Sequence, residues 1–328
     1  MIIVPIYPGQ GLGNQLWVYA AGRSIAEETG RSFQLQGASD FKGADFLDIV
    51  PDMPFPGADR AAAGTAVATF PERLFYDGEL NTVSSGFDER IVQATGALRL
   101  EGLFQDERYF FGRPERLARY IQPRPEVAAA YPMDPDICVL NIRGGEYKHH
   151  PDLLLKKAYW QNAMANMTRR GAVKRFVIVT DDAPYARRLF PDLPVVSGNV
   201  AACFMTILNA RHVILSNSSF GYFPAKLGHK ETVIAPLHWA RPDNRLDRWA
   251  SPANLYADWL WQSADGTMLQ YADLVKRRDD CEQYYLSRYT VLIDPRSIPA
   301  QGWRRFVPPG LRKMAKAGLA RLAPSRVG

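Results

Sequence analysis

ICVLNIRGGEY, at residues 137–147, opens the stretch of sequence that decides the fold. Its first six residues form an apolar run typical of a buried strand, and segments with helical spacing separate it from later runs of the same kind. Those runs are RFVIVT (175–180), LPVVS (193–197), HVILS (212–216) and TVIAP (232–236). Strands that alternate with helices predict a parallel sheet with right-handed crossover connections.

The N-terminal part of the chain shows a second unit of the same kind. MIIVPIY (1–7) is typical of a strand, GQGLGNQ (9–15) of a glycine loop, residues 16–28 of a helix, and SFQLQ (32–36) of another strand. Residues 37–95 show no readable periodicity, and four prolines between residues 121 and 136 mark the predicted domain boundary. We therefore predict an α/β protein with domains at residues 1–125 and 126–275 and a C-terminal extension at 276–328.

The composition excludes several classes of protein. Of 328 residues, 47% are hydrophobic and 23% charged, so the chain is neither disordered nor fibrous and is long enough for two domains. Seven of the 40 basic residues, and no acidic residue, lie in residues 303–328, which leaves 33 basic against 34 acidic residues elsewhere. A nearly neutral body argues against a nucleic-acid-binding surface, and the excess basic charge belongs to the tail.

Cysteine usage and hydropathy predict a cytoplasmic protein. Cys138, Cys203 and Cys281 lie far apart and form no CxxC pair, which indicates free thiols in a reducing compartment. The apolar N-terminus has no preceding basic segment and is interrupted by Pro5 and Pro8, unlike a signal peptide. No apolar run reaches the ~18 residues that a membrane span needs.

The glycine loop at residues 9–15 is the first candidate binding segment. Ligands of parallel α/β sheets bind beyond the carboxyl ends of the strands, where glycines let the backbone approach an anion that the helix dipole also favours. Gly11, Gly13 and Asn14 are therefore candidate binding residues. Asn14 takes the place of the third glycine of a GxGxxG pattern, which disfavours a dinucleotide dehydrogenase. A tight turn without a ligand is the alternative.

NIRGGEYKHH (141–150) contains the end of the predicted strand at residues 137–142 and the loop that follows it. Arg143 stands where that strand ends, and a guanidinium there offers a bidentate fork to a phosphate. The alternative is a surface arginine paired with an acidic side chain. Glu146 is the candidate base for a substrate hydroxyl, with His149 second. No HxxxH or acid–histidine spacing accompanies the histidines, so we predict no metal site.

Two further polar motifs follow strands. TDD (180–182) places Asp181 and Asp182 where carboxylates accept hydrogen bonds from a base edge, or where one of them caps the next helix. SNSSFGYF (216–223) begins a predicted helix over residues 218–227, and its Asn217, Ser218 and Ser219 exceed what an N-cap needs. DPD (134–136) has the DxD pattern of metal-dependent glycosyltransferases, but it precedes a strand and is better explained as a turn.

These segments together resemble the alpha-1,2-fucosyltransferases of glycosyltransferase family 11. The family pattern is a GGLGNQ-type loop, an HxRRGDY-type motif, an SDD-type strand end and an NSSFSWW-type motif. This chain has QGLGNQ at 10–15, NIRGGEY at 141–147, TDD at 180–182 and NSSFGYF at 217–223, in the same order. The resemblance covers roughly residues 1–240.

The resemblance implies a GT-B-like fold, in which two Rossmann-like domains with parallel sheets face each other across a cleft. It also implies inverting, metal-independent transfer of fucose from GDP-fucose to a glycan hydroxyl, without a cofactor. Arg143 would grip the diphosphate, and Asn14 would approach it from the opposite domain. Ser218 and Ser219 would hold phosphate oxygens, and Asp181 or Asp182 would bind the guanine edge.

The sequence also departs from this family pattern. Asn141 replaces the histidine, Gly144 the second arginine and Glu146 the aspartate, while residues 221–223 read GYF instead of SWW. The lost arginine removes one positive charge from the expected donor site and leaves the donor sugar open. The alternatives are therefore a transferase of the same fold with another nucleotide sugar, and a non-catalytic nucleotide- or carbohydrate-binding protein.

The basic tail is the last feature of the sequence. From residue 311 onward, apolar residues share one helical face while the basic residues lie mostly elsewhere, as in helices that lie on anionic membranes. The sequence predicts either peripheral membrane contact through residues 303–326, on the inner face of the plasma membrane, or a solvated tail. With membrane contact, a lipid-linked acceptor in the synthesis of a surface polysaccharide or O-antigen is attractive.

Overall fold

A computed structural model describes residues 1–50, 52–53, 66–171, 173–239, 246 and 248–289. The tail at residues 303–326 lies outside the described residues, so its membrane contact stays a prediction. None of the helices in the described part combines the length and the apolar composition that crossing a membrane requires.

The N-terminal domain begins with the predicted strand, loop, helix and strand. Its sheet has the strand order β4-β2-β1-β8-β5, in which only the edge strand β4 is antiparallel to its neighbour. The elements are β1 (Ile2–Pro5), α1 (Leu12–Glu28), β2 (Phe33–Gln36), β3 (Leu47–Ile49), β4 (Asp52–Met53), β5 (Val67–Pro71), β6 (Arg73–Asp77), β7 (Thr82–Gly86), α2 (Arg90–Gln93), β8 (Ala97–Glu101), α3 (Leu117–Tyr120) and β9 (Ile121–Pro123).

The second domain follows the alternation that the sequence predicts. Its sheet has the order β12-β11-β10-β13-β14-β15-β16, and all neighbours are parallel except the terminal pair β15–β16. The elements are α4 (Pro125–Ala129), β10 (Ile137–Ile142), α5 (Lys157–Arg169), β11 (Arg175–Thr180), α6 (Ala183–Leu189), β12 (Val195–Ser197), α7 (Val200–Asn209), β13 (His212–Leu215), α8 (Tyr222–Leu227), β14 (Thr232–Pro236), β15 (Leu260–Gln262), β16 (Met268–Gln270) and α9 (Tyr271–Arg288).

Helix α1 joins the two domains. It is buried on nearly every face, because one side covers the N-terminal sheet and the other meets the second domain. The Trp17 ring lies 4.2 Å from that of Tyr222 and 5.4 Å from that of Phe223, both on α8. Since α1 follows β1 and α8 follows β13, the carboxyl ends of both sheets face each other, as in the predicted GT-B-like fold.

Helix α9 crosses back to the N-terminal domain. Glu282 binds Arg108 and accepts a hydrogen bond from the Phe87 amide at 3.2 Å, and Tyr285 donates to the buried Asp77 at 3.0 Å. The predicted boundary between residues 275 and 276 falls inside this continuous helix, whose partners lie in both domains. The sequence missed this return because partners some 200 positions apart leave no local pattern.

The structure bears on two smaller predictions, those for the DPD segment and for the cysteines. The DPD segment is a turn, as predicted: Asp134 and Asp136 both bind Arg175 at the amino end of the second sheet, away from the motifs. Cys138, Cys203 and Cys281 are free thiols, and the first two are buried.

Candidate active site

The carboxyl ends of β10 and β13 bring two of the predicted motifs together. These strands are parallel neighbours with Asn141 opposite Leu215, so Arg143 and Asn217 leave the sheet at the same edge. The Tyr147 hydroxyl then donates to the Asn217 carbonyl at 2.9 Å, which ties the loop after β10 to the loop after β13. Desolvation of this hydroxyl raises the pKa of Tyr147 to about 12, so it remains a neutral donor at neutral pH.

Arg143 is held by its neighbours and stays partly open to solvent. Its Nη1 lies 2.8 Å from Oδ2 of Asp181, and its Nη2 lies 3.7 Å from Oε1 of Glu146. The guanidinium carbon lies 5.7 Å from the centre of the Tyr147 ring. The side chain is 30% exposed. The pairing that the sequence left as an alternative is therefore present, and it leaves part of the guanidinium accessible.

Asp181 organises the turn that follows Arg143. Its Oδ1 accepts a hydrogen bond from the Gly144 amide at 2.9 Å, while its Oδ2 binds Arg143. A Cβ atom on Gly145 would lie 2.1 Å from that same Oδ2, and one on Gly144 would lie 2.7 Å from the Tyr185 ring. The two glycines are thus required because the carboxylate and the ring pack directly on the backbone.

Asp182 is the aspartate that caps a helix. It accepts a hydrogen bond from the Tyr185 amide at 3.0 Å at the start of α6, and the Lys148 ammonium binds its other oxygen. Burial alone would raise the pKa of Asp182, but the Lys148 and Tyr185 hydrogen bonds lower it below the usual value. A buried and fully engaged carboxylate does not suit the base-edge role predicted for Asp182. Asp181 also binds through both oxygens, to Arg143 and the Gly144 amide, but it is the more exposed of the two aspartates and stays the candidate for that role.

The segment 217–219 divides its tasks among three side chains. Asn217 donates from Nδ2 to the Leu153 carbonyl at 2.9 Å, and Ser218 Oγ accepts from the Phe220 amide at 3.4 Å. Ser219 donates instead to Oδ1 of Asn14 in the other domain at 2.7 Å. The predicted helix over residues 218–227 is shorter than expected, because a 3-10 turn precedes the six-residue α8. Its dipole is correspondingly weak.

The glycine loop meets this segment face to face. Helix α1 begins at Leu12, four residues before the predicted start, with the exposed Gly11 as N-cap. A Cβ on Gly13 would lie 2.5 Å from the Ser219 backbone, whereas one on Gly11 would meet nothing within 4 Å. Gly13 therefore serves the contact between the domains. The start of α1 carries no acidic side chain and no side-chain cap, so its positive dipole end is not neutralised locally.

Gln105 completes the contact and was missed by the sequence analysis. Its Nε2 donates to Oδ1 of Asn14 at 2.8 Å, so the same oxygen receives Gln105 and Ser219. Its carbonyl accepts from Nδ2 of Asn254 at 3.1 Å. Gln105 lies in the loop that follows β8, which ends at Glu101. A polar residue shortly after a strand of the N-terminal sheet was the available signal.

Four of the buried polar atoms without partners lie at this same edge, and others are spread over the described residues of both domains. The four are Oδ1 of Asn141, Nε of Arg143, Oγ of Ser216 and Oδ1 of Asn217, none of which has a hydrogen-bond partner among the described residues. Leaving a buried polar atom unsatisfied costs ~1–3 kcal/mol. Such a group of unsatisfied atoms at one sheet edge favours a site that a ligand completes.

Glu146 and His149 lie on the exposed side of the loop after β10. Both belong to the 3-10 helix Glu146–His149, and both are exposed. Oε1 of Glu146 lies 3.7 Å from Nη2 of Arg143. Within the described ranges, no three His, Cys, Asp or Glu side chains converge as metal ligands do.

This chain is similar in sequence to a colitosyltransferase and in structure to fucosyltransferases. No family model matches it. An Escherichia coli alpha-1,2-colitosyltransferase is 24% identical over 73% of this chain and 93% of its own length. Among solved structures, the chain is similar to the alpha-1,6-fucosyltransferase NodZ of Bradyrhizobium, soaked with GDP-fucose (TM-score 0.39, 16% identity, 69% of this chain and 92% of that one). It is also similar to Arabidopsis thaliana FUT1 in complex with GDP (TM-score 0.42, 12% identity, 71% and 69%).

Proposed function

We propose that this protein is a glycosyltransferase that moves a deoxy sugar, fucose or colitose, from a GDP-linked donor to a hydroxyl of a glycan. One observation carries the proposal: Asn14 of the first domain accepts a hydrogen bond from Ser219 of the second, beside the strand end that carries Arg143. The sequence similarity to the colitosyltransferase supports the transferase class, since it covers 73% of this chain.

The donor diphosphate would lie between Arg143 and the start of α1. The exposed part of the Arg143 guanidinium supplies a positive charge, and the unneutralised helix start supplies backbone amides. Ser219 adds a hydroxyl from the facing loop when its proton turns from Asn14 to a phosphate oxygen. The unsatisfied Oδ1 atoms of Asn141 and Asn217 are acceptors, which suit N–H groups of a base or hydroxyls of a sugar better than phosphate oxygens.

The reaction follows from charge development at the anomeric carbon. The bond from this carbon to the diphosphate oxygen breaks as the bond to the acceptor oxygen forms, through an oxocarbenium-like transition state. Arg143 and the hydrogen-bond donors around it stabilise the growing negative charge on the departing GDP, and each such donor is worth about 3 kcal/mol. Glu146 takes the proton of the acceptor hydroxyl, with His149 as the second candidate. Attack opposite the leaving group inverts the configuration, and no metal or other cofactor takes part.

The finer specificity belongs to the same proposal. We assign an alpha-1,2 linkage to a galactoside acceptor in surface polysaccharide or O-antigen synthesis. The resemblance of the motifs to alpha-1,2-fucosyltransferases supports this assignment, as does the linkage named for the E. coli relative.

The direct test is a transfer assay with GDP-fucose and GDP-colitose on a galactoside acceptor in the presence of EDTA. The proposal expects a product with inverted anomeric configuration and no loss of rate on metal removal. UDP- and ADP-sugars are offered in parallel. If neither GDP-linked donor is turned over and these sugars are not turned over either, the enzymatic assignment is contradicted.

A non-catalytic nucleotide- or glycan-binding protein is the second candidate. The pairing of Arg143 with Asp181 favours it, because a diphosphate must compete with a carboxylate 2.8 Å away. GDP binding without any sugar transfer or donor hydrolysis would identify this alternative.

A further inference from the structure

Glu72 is a buried carboxylate at the carboxyl end of the N-terminal sheet. It directly follows β5, is only 7% exposed, and its amide donates to the Glu101 carbonyl at 2.8 Å. Its Oε2 accepts a hydrogen bond from the Leu103 amide at 2.7 Å. The side chain thus fastens the end of β5 to the loop that follows β8.

That loop has an uncommon backbone conformation. Gly102 has φ +149°, and a Cβ there would lie 2.4 Å from Cβ of Glu72. Phe104, which is completely buried, has φ +52°, in the left-handed region that residues with a side chain seldom occupy. Such a backbone persists only where surrounding contacts hold it, and the Glu72 carboxylate is one of these contacts.

The conformation presents Gln105 to the glycine loop of the same domain, where that loop meets the second domain. From this loop, Nε2 of Gln105 reaches Oδ1 of Asn14 at 2.8 Å, and the same oxygen receives Ser219 Oγ at 2.7 Å. A continuous series of contacts therefore begins at Glu72. These contacts lead through the loop 102–105 to the glycine loop and then to segment 217–219 of the second domain.

We propose that Glu72 is a positioning residue for the proposed transferase: it holds the loop 102–105 so that Gln105 fixes Asn14 against Ser219. This role rests on the proposed function, because Asn14 and Ser219 are the groups assigned to the donor. Glu72 acts through Gln105 and does not touch the donor.

Electrostatics around Glu72 agree with this role. Burial raises the pKa of Glu72 to about 7, the amides of Leu103, Phe104 and Gln105 lower it, and Asp106 raises it. The Tyr109 ring, from the turn after the loop, also faces this charge. In the observed conformation the loop 102–105 buries the Glu72 carboxyl. The neutral form of Glu72 therefore stabilises this conformation more than the ionised form does. Glu72→Gln mimics the neutral form, whereas Glu72→Ala removes the acceptor.

The test compares Glu72→Ala and Glu72→Gln with Glu101→Ala, whose exposed side chain ends the neighbouring strand. Amide hydrogen exchange is followed in segments 102–106, 12–16 and 216–222, and GDP affinity is measured for each variant. We expect Glu72→Ala to speed exchange in all three segments and to weaken GDP binding roughly tenfold, the value of one hydrogen bond to a charged group. Glu72→Gln should restore both, and Glu101→Ala should change neither.

Other outcomes overturn the proposal. Faster exchange in segment 102–106 alone, with unchanged GDP affinity, would make Glu72 a structural residue only. Equal loss in the Gln and Ala variants would show that the acceptor atom is not what holds the loop. If the wild-type protein binds no GDP, the proposed function fails, and exchange in segment 12–16 still decides the role of Glu72.

Discussion

Arg143 and Asp181 are the residue pair on which the proposed chemistry depends. Asp181 uses one oxygen for the guanidinium and the other for the Gly144 amide, so it orients the arginine and the turn behind it. The same carboxylate also neutralises charge that a diphosphate would use. Under the proposed function, a donor phosphate would bind the exposed face of the guanidinium and share it with Asp181.

Replacing Arg143 with alanine should slow transfer strongly and leave the fold intact. Loss of one preorganised cationic donor costs about 3 kcal/mol in the transition state, or roughly a hundredfold in rate. The partly exposed ion pair adds little to stability, so the melting temperature should change little. Arg175→Ala is the matched control, because Arg175 also pairs with carboxylates but at the opposite end of the sheet. An Arg143→Ala protein with the wild-type rate would remove Arg143 from the mechanism.

Glu72 should make stability depend on pH. The pKa of Glu72 is about 7 in the folded protein and 4.5 in an unperturbed glutamate, so the folded state binds the extra proton between these values. The contribution of Glu72 to the free energy of unfolding is fully present below pH 4.5 and is lost as the pH rises to about 7. Above that pH it changes no further, and the total change is at most ~3 kcal/mol. The measurement is urea unfolding at about pH 5 and about pH 8. The free energy of unfolding of Glu72→Gln, relative to that of the wild type, should be higher at the higher pH. A constant difference between them would contradict the assignment.

At the scale of elements, the contact between the start of α1 and the turn after β13 builds the site. Both begin directly after parallel strands, and each gives small residues to the contact: Gly13 from one side and Ser219 from the other. A side chain at position 13 has no room, because backbone atoms of the facing turn cannot rotate away.

Gly13→Ala should therefore separate the two domains locally. Its Cβ would lie 2.5 Å from the Ser219 carbonyl and 2.6 Å from the Phe220 nitrogen. Overpacking of this kind costs ~1–3 kcal/mol. We expect a lower melting temperature and weaker GDP binding, while Gly11→Ala, two residues earlier and facing open space, should behave as wild type. Equal behaviour of the two variants would show that the close approach is not needed.

The sequence predicted the strands of the second sheet well and the first domain only in part. Strands β10, β11 and β13 are buried in the sheet, so they are continuous apolar runs. Strand β5 is an edge strand with mostly exposed residues, and it leaves no such pattern. Of the site, the motif residues could be located, but the bond between Asn14 and Ser219 joins positions 205 apart and appears only in the fold.

For the whole molecule, one apolar core extends through both domains. The cluster around Trp17 includes residues of both sheets, and α9 adds polar contacts from the second domain back to the first. The two domains are therefore held by burial as well as by the polar bonds at the site. This continuity keeps Arg143 and Asn14 on facing loops.

Truncation after residue 300 tests the remaining prediction at this scale. If residues 303–326 bind anionic lipid through their basic and apolar faces, the truncated protein should move from the membrane fraction to the soluble fraction. Transfer to a free oligosaccharide acceptor should be unchanged, because none of the residues assigned to the site belongs to the tail. An unaltered distribution between fractions would favour the solvated tail.

Calorimetric titration of the intact protein with GDP in EDTA is the most direct measurement of the central claim. The account predicts binding of one GDP per chain without added metal, weaker binding of UDP and ADP, and loss of binding in Arg143→Ala. Equal affinity for all three nucleotides, a requirement for a divalent cation, or full GDP affinity in Arg143→Ala would contradict it.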